Sequence, residues 1–253
     1  MKVSIVMAYH NRKKQLLNTL QTIRNSKHYV EVIIIDDASD ENQRIEFLHT
    51  MPGINIHLER INKNEKTWHN PCIPFNMGFK KATGDIIILN NPECMHVGNV
   101  IDYAINNVVE NKYIAFSCYS ADKEKTEIIN ETMNEATNPN KLTSIVEPFV
   151  NAHPSNDCEN GWYNHSVYNP NAFHFTSAIT RKNLEELGGF DERYADGFAY
   201  EDMEFMARIR GKGMNIEICD NPYVIHQAHS PSDYVGKRDL YLRNQKLYST
   251  GRI

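Results

Sequence analysis

Four consecutive apolar residues, Ile86-Ile87-Ile88-Leu89, are bounded by Gly84-Asp85 before and Asn90-Asn91-Pro92-Glu93 after. An unbroken apolar run with turn residues at both ends reads as a strand buried on both faces, the kind found in parallel sheets covered by helices. Open α/β sheets bind ligands in the crevice outside the carboxyl ends of their strands. Asn91, Pro92 and Glu93 fall at that end. A polar site is expected there, although Asn-Asn-Pro also suits a plain turn.

The chain around this strand alternates strand and helix. Val3–Ala8 and Val30–Ile35 read as buried strands, and Ile54, Ile56 and Leu58 alternate with polar residues as a third strand does. Asn11 is placed to cap a helix that carries Leu16, Leu20 and Ile23 on one face and ends near Ser26. Further helices are expected around Asn42–His49 and over Pro71–Lys81. Beyond Glu93 the pattern predicts a helix at Val100–Val109 and a strand at Tyr113–Ser117. A polar stretch of one or two helices and a long loop then runs from Ala121 to Tyr168. Next come a strand at Phe173–Thr180, a helix at Arg181–Leu187 stopped by Gly188-Gly189, and a helix at Glu201–Ile209. Short strands at Met214–Ile218 and Tyr223–His226 and a polar, aromatic tail from Asp233 complete the chain. The expected fold is α/β, with a mostly parallel central sheet flanked by helices and right-handed crossovers.

Composition narrows the function. The 253 residues suit one large α/β domain or two small ones, and a net charge of −5 with no long basic run argues against a nucleic-acid partner. No apolar stretch approaches the ~20 residues of a membrane helix. The N-terminus enters a strand without the shape of a signal peptide. Five scattered cysteines (Cys72, Cys94, Cys118, Cys158 and Cys219) fit free thiols in a reducing compartment, so a cytoplasmic location is expected.

Three polar clusters carry candidate chemistry. Asp36-Asp37-Ala38-Ser39-Asp40 follows the second strand, where carboxylates can accept hydrogen bonds from a uracil imide or ribose hydroxyls; one of them also suits a helix cap. No glycine precedes Gly53, so the turn after the first strand, Ala8-Tyr9-His10-Asn11-Arg12, cannot cradle phosphates as a glycine-rich loop does. A nucleotide would be held instead by side chains and a metal. Glu201-Asp202 opens a helix whose dipole favours ionised carboxylates. His226 and His229 could ligate a metal, with one of them beside Glu93 the preferred arrangement. Trp162, Tyr163, Tyr168 and Phe173 could form an aromatic platform for an acceptor, or core.

Taken in order, these stretches resemble the family 2 glycosyltransferases of the GT-A fold. Tyr9-His10-Asn11-Arg12 resembles the family's Thr-Tyr-Asn-Arg turn and Asp36-Asp37-Ala38-Ser39 its Asp-Asp-x-Ser motif. Asn76-x-Gly78, Ala82 and Gly84-Asp85 resemble the approach to its Asp-x-Asp strand, here reduced to Asn91-Pro92-Glu93. Gly188-Gly189-Phe190-Asp191-Glu192 with Glu201-Asp202 resembles its acceptor signature, and His226 a late metal-binding histidine. The C-terminal part also resembles galactosyltransferases and chondroitin-type polymerases.

The resemblance implies one GT-A domain, with a nucleotide-sugar half over residues 1–95 and an acceptor half, a smaller subdomain, over 96–253. It implies inverting, metal-dependent hexosyl or N-acetylhexosaminyl transfer from a UDP-sugar to an acceptor hydroxyl of a glycan or glycoconjugate. Ala8, Tyr9, Asn11, Arg12, Asp36, Asp37, Ser39, Asn76, Asn91 and Pro92 would bind the nucleotide-sugar, and Glu93 and His226 a Mn²⁺ or Mg²⁺ ion. Asp202 would be the general base with Glu201 beside it, and Trp162 and Tyr200 would meet the acceptor. The single carboxylate in Asn91-Pro92-Glu93 keeps a rival open, a non-catalytic relative that only binds nucleotide-sugar or carbohydrate. A nucleotidyltransferase is disfavoured by the missing glycine loop.

Overall fold

The computed structural model describes residues 1–135, 139–152, 160–229 and 236–250. In the first half, β1 (Val3–Tyr9) lies between β2 (Glu31–Asp36) and β4 (Ile86–Asn90), parallel to both, and β3 (Asn55–Arg60) extends the sheet parallel to β2. All five residues of β4 are buried, as expected for a strand covered on both faces.

From β4 onward the sheet is mixed, whereas a mostly parallel one was expected. Its order is β3-β2-β1-β4-β8-β6-β9-β5, with β7 (Gly161–Asn164) paired to β6 (Lys112–Ser120). β8 (Thr176–Thr180) enters at the carboxyl end of β4, pairing Thr176 with Asn90, and so runs antiparallel to it. This entry sets Phe173, His174 and Phe175 beside Asn91 and Pro92 at the crevice. β5 (Cys94–Val97) follows Glu93 directly and was not anticipated; its four residues are too few to show a period. It pairs antiparallel with β9 (Asn215–His226), with Cys94 opposite His226. β9 is one strand where two were expected, because pairing with β6 resumes beyond Pro222 after a register shift.

α1 (Lys13–Arg24) buries Leu16, Leu20 and Ile23 on one face of the sheet. Its cap position is Arg12 and not Asn11, which sits in the left-handed region (φ 53°) and bonds Asp40 instead. Asparagine tolerates that conformation better than most residues. α2 (Cys72–Lys81) covers the other face, where a Cβ on Gly78 would meet Val6 Cγ1 at 2.4 Å, so glycine lets the helix touch β1. The helix expected over Asn42–His49 is two 3₁₀ turns, Glu41–Gln43 and Glu46–Thr50. Ile45 and Leu48 are buried there but Phe47 is not, too little apolar face to hold an α-helix against the sheet.

α3 (Val100–Asn107) follows β5. α4 (Lys123–Glu135) and α5 (Pro139–Ala152) build a small core of their own, with Ile129, Met133, Leu142 and Val146 against Met95, Tyr119, Trp162 and Ile225. α6 (Arg181–Leu187) is capped by Thr180 and ends in a left-handed Gly188. α7 (Glu201–Gly211) carries the acidic pair, and the tail holds an unexpected α8 (Arg238–Ser249). Cys158 lies outside the described residues; the other four cysteines are free and buried. Among the described residues no helix is long and apolar enough to cross a membrane.

Candidate active site

The carboxyl ends of β1, β2 and β4 face the first turn of α7 across a cleft of about 280 Å³. Ala8, Arg12, Asp37, Asn91, Pro92, Glu201 and Asp202, all expected site residues, line it together. They come from four separate stretches of chain. Lys66, His69, His174 and Lys237 join them and were not anticipated; Phe198 joins from the loop before the acidic pair.

At one end of the cleft Asp37 accepts from Lys66 Nζ (2.6 Å) and Trp68 Nε1 (2.9 Å). A carboxylate has about four acceptor positions, so capacity for a ligand remains. Asp36 is deeper, 1% exposed, and engaged by Arg60 (2.7 Å) and the Ser39 backbone N–H (2.9 Å). Ser39 Oγ accepts from the Asn11 N–H, and Tyr9 donates its hydroxyl to Gln43 O. These residues do not line the cleft; they hold the loop that presents Asp37.

Behind Arg12, and outside the lining of the cleft, lies Glu93, 2% exposed. Its Oε1 accepts from Arg12 Nη1 at 2.6 Å and lies 3.3 Å from His226 Nε2 and 3.9 Å from His229 Nε2. Burial alone would raise its pKa, but the Arg12 guanidinium and the His226 imidazole outweigh burial and hold the carboxylate well below the usual range. Ligating atoms of Glu93, His226 and His229 lie within 4.8 Å of one another. The sequence reading preferred one histidine as ligand and the other as an outer or structural residue; the structure draws both into the same cluster.

The acidic pair opens α7 after two consecutive non-glycine residues in the left-handed region, Ala199 (φ 59°) and Tyr200 (φ 72°). Such strain persists only where surrounding structure overdetermines it. Asn244 of α8 supplies that restraint, donating to Ala199 O at 2.8 Å and to Tyr194 O at 3.0 Å. Glu201 Oε2 accepts from Asn70 Nδ2 at 2.5 Å, and Asp202 Oδ1 from the Met203 N–H at 2.7 Å. Burial, then the adjacent Asp202 charge, pushes Glu201 up to about 7, and burial also raises Asp202.

That shift gives the stability a pH signature. Between the ordinary glutamate value and about 7, folded Glu201 keeps a proton that the unfolded chain has released, so stability falls as pH rises through this window. Glu201→Gln is expected to flatten the decline in urea midpoints between pH 5 and pH 8. An unchanged pH dependence in the variant would refute the assignment.

Three further expected site residues stand elsewhere. Asn76 donates to Phe190 O and Glu192 Oε1 (both 2.9 Å) and accepts from the Phe190 N–H, fastening the Gly188-Gly189 turn to α2. Trp162 is 4% exposed and packs on Tyr119, Tyr223 and His165. Tyr200 turns to α8, with its ring 5.2 Å from Tyr241.

A parallel first half, joined through the strand before Glu93 to a mixed second half, defines the GT-A class of glycosyltransferase fold. A family model for glycosyltransferase-like family 2 matches residues 3–243, and the chain belongs to that family. No curated protein matches it. Among solved structures, the mannosyltransferase PcManGT from Pyrobaculum calidifontis, in complex with GDP-Man and Mn²⁺, is 14% identical with a TM-score of 0.58. S. aureus TarS 1–349 in complex with UDP-GlcNAc is 14% identical with a TM-score of 0.63. These matches cover 98% and 92% of this chain but only 64% and 60% of theirs. Neither the family match nor these structures carries the likeness to galactosyltransferases and chondroitin-type polymerases.

Proposed function

We propose that the chain transfers a hexosyl or N-acetylhexosaminyl group from a UDP-sugar to an acceptor hydroxyl of a glycan or glycoconjugate, with inversion at the anomeric carbon. The observation that carries this reading is the gathering of Arg12, Asp37, Asn91 and the Glu201-Asp202 pair around one cleft. The nucleotide-sugar complexes of the similarly folded PcManGT and TarS support it.

The residues present fit a divalent metal. Glu93 Oε2 is buried with no hydrogen-bond partner, and two imidazoles stand beside it. Two nitrogen donors and one carboxylate suit Mn²⁺ better than Mg²⁺. Glu93, His226 and His229 would hold the ion, which when bound stabilises charge on the leaving diphosphate. Arg12, Lys66 and Lys237 bring further positive charge to the cleft. Asp202 takes the proton from the acceptor hydroxyl as its oxygen bonds to the anomeric carbon. The bond from that carbon to the diphosphate oxygen breaks, and the electron pair leaves with UDP. Glu201, held by Asn70, orients acceptor hydroxyls beside it.

A thermal-shift screen of nucleotide-sugars with and without Mn²⁺ tests the binding, because a ligand specific to the native state raises its stability. UDP release from the best donor then separates an enzyme from a non-catalytic relative.

Asp37→Ala is expected to weaken uridine and UDP by the same factor, since the contact is to base or ribose. The loss should be roughly tenfold to a hundredfold, the scale of one hydrogen bond to a charged group. Equal uridine affinity in wild type and variant, measured by calorimetry, would remove the assignment.

A further inference from the structure

Between the two metal-ligating histidines lies Gln227, which is fully buried. Its backbone N–H and its side-chain Nε2 both donate to Glu93 O at 3.0 Å. Nε2 also reaches Gln15 O on α1 at 3.1 Å, while Oε1 accepts from Asn18 Nδ2 at 2.8 Å. Asn18 passes the chain on, donating to Asn130 Oδ1 of α4 at 2.7 Å. The next residue is tied as well, for Ala228 N–H donates to Thr126 Oγ1 of α4 (2.8 Å) and Ala228 O accepts from Gln15 Nε2 (3.0 Å).

We infer that Gln227 is a positioning residue for the metal centre. It clamps the backbone of Glu93 to the His226–His229 segment and keys both to α1 and α4. This inference rests on the metal reading above.

The physical argument is one of satisfaction and geometry. A primary amide has two N–H donors and one acceptor oxygen. All of Gln227's are used, and its partners are the ligand residue Glu93 on one side and Gln15 and Asn18 of α1 on the other. His226 ends β9 and His229 lies beyond any strand, so no sheet ladder fixes the spacing between them. The amide supplies the missing constraint. Because Asn18 and Gln227 are both buried, neither can trade its partner for water, and the arrangement is stiff. Partners outside the ligand shell typically govern metal affinity by roughly 10- to 100-fold.

The experiment titrates Mn²⁺ by electron paramagnetic resonance into wild type, Gln227→Met and Asn130→Ala, with and without UDP. Urea melts and uridine affinity are measured on the same samples. Gln227→Met preserves volume and removes the polar clamp. The expected result is a roughly 10- to 100-fold loss of Mn²⁺ affinity per folded molecule and an altered Mn²⁺ spectrum, with uridine affinity unchanged. Asn130→Ala breaks the far end of the relay, touches neither Glu93 nor the histidines, and is expected to lose affinity several-fold. It decides the matter if Gln227→Met does not fold. Variants that lose stability but bind Mn²⁺ as wild type does would reduce Gln227 to a structural residue and overturn the inference. Wild type that binds no Mn²⁺ would overturn the metal reading itself, and this inference with it.

Discussion

Asp202→Asn is expected to lower sugar transfer by roughly 10²–10⁴-fold, the contribution of a positioned general base, while leaving the fold and UDP-sugar affinity intact. An acceptor hydroxyl is a poor nucleophile until its proton is removed as the new bond forms. Asp202 and Glu201 are adjacent on α7, so they point about 100° apart and only one can face the anomeric carbon. Glu201 is already engaged by Asn70, whereas among the described residues no hydrogen bond is shown to Asp202 Oδ2. Asparagine keeps the bond to the Met203 N–H and removes only the basicity. Glu201→Gln should act chiefly through acceptor KM. Initial rates on both variants, with donor affinity measured separately, decide between them. Transfer by Asp202→Asn at near the wild-type rate would place the base elsewhere and strip the inverting mechanism of its main support.

The second large effect is expected at Glu93. UDP and Mn²⁺ should bind with positive, reciprocal coupling, so EDTA should weaken UDP by roughly 5- to 150-fold, the usual range of such couplings. Saturating UDP should tighten Mn²⁺ by the same factor. Uridine, which has no phosphates, should ignore EDTA. Glu93→Gln removes the only carboxylate of the cluster and should abolish the coupling. Its own Mn²⁺ affinity should fall further than the roughly 10- to 100-fold that follows loss of an outer partner. Arg12 also loses its charged partner in this variant, so folding must be checked by urea melts. UDP bound as tightly in EDTA as in Mn²⁺ would leave Arg12, Lys66 and Lys237 as the diphosphate's counter-charges and end the metal reading.

Burial pattern made β1, β2 and β4 legible in the sequence, because an apolar run records its two-sided covering locally. The acidic pair at the start of α7 and Asp37 after β2 were legible for the same reason: each sits at the end of an element whose end the sequence marks. Burial of Trp162 and Tyr200 was not legible, because an aromatic ring suits a sugar platform and a core equally. The bonds of Asn76 to Phe190 and Glu192 were not legible either, because a polar amide near a ligand motif reads alike whether it meets a ligand or fastens a turn.

What the sequence determined by itself is the first half of the fold and the chemistry of the cleft's separate walls. Tertiary structure alone decided how those walls meet. The pairing of β5 with β9 carries Glu93 to His226, and the Gln227 clamp that adds His229 joins positions 134 residues apart. The restraint on the strained Ala199–Tyr200 turn comes from Asn244, on a helix that the polar tail did not announce. Such contacts leave no periodic trace, since register between distant strands is set by the packing of whole faces and not by any one segment.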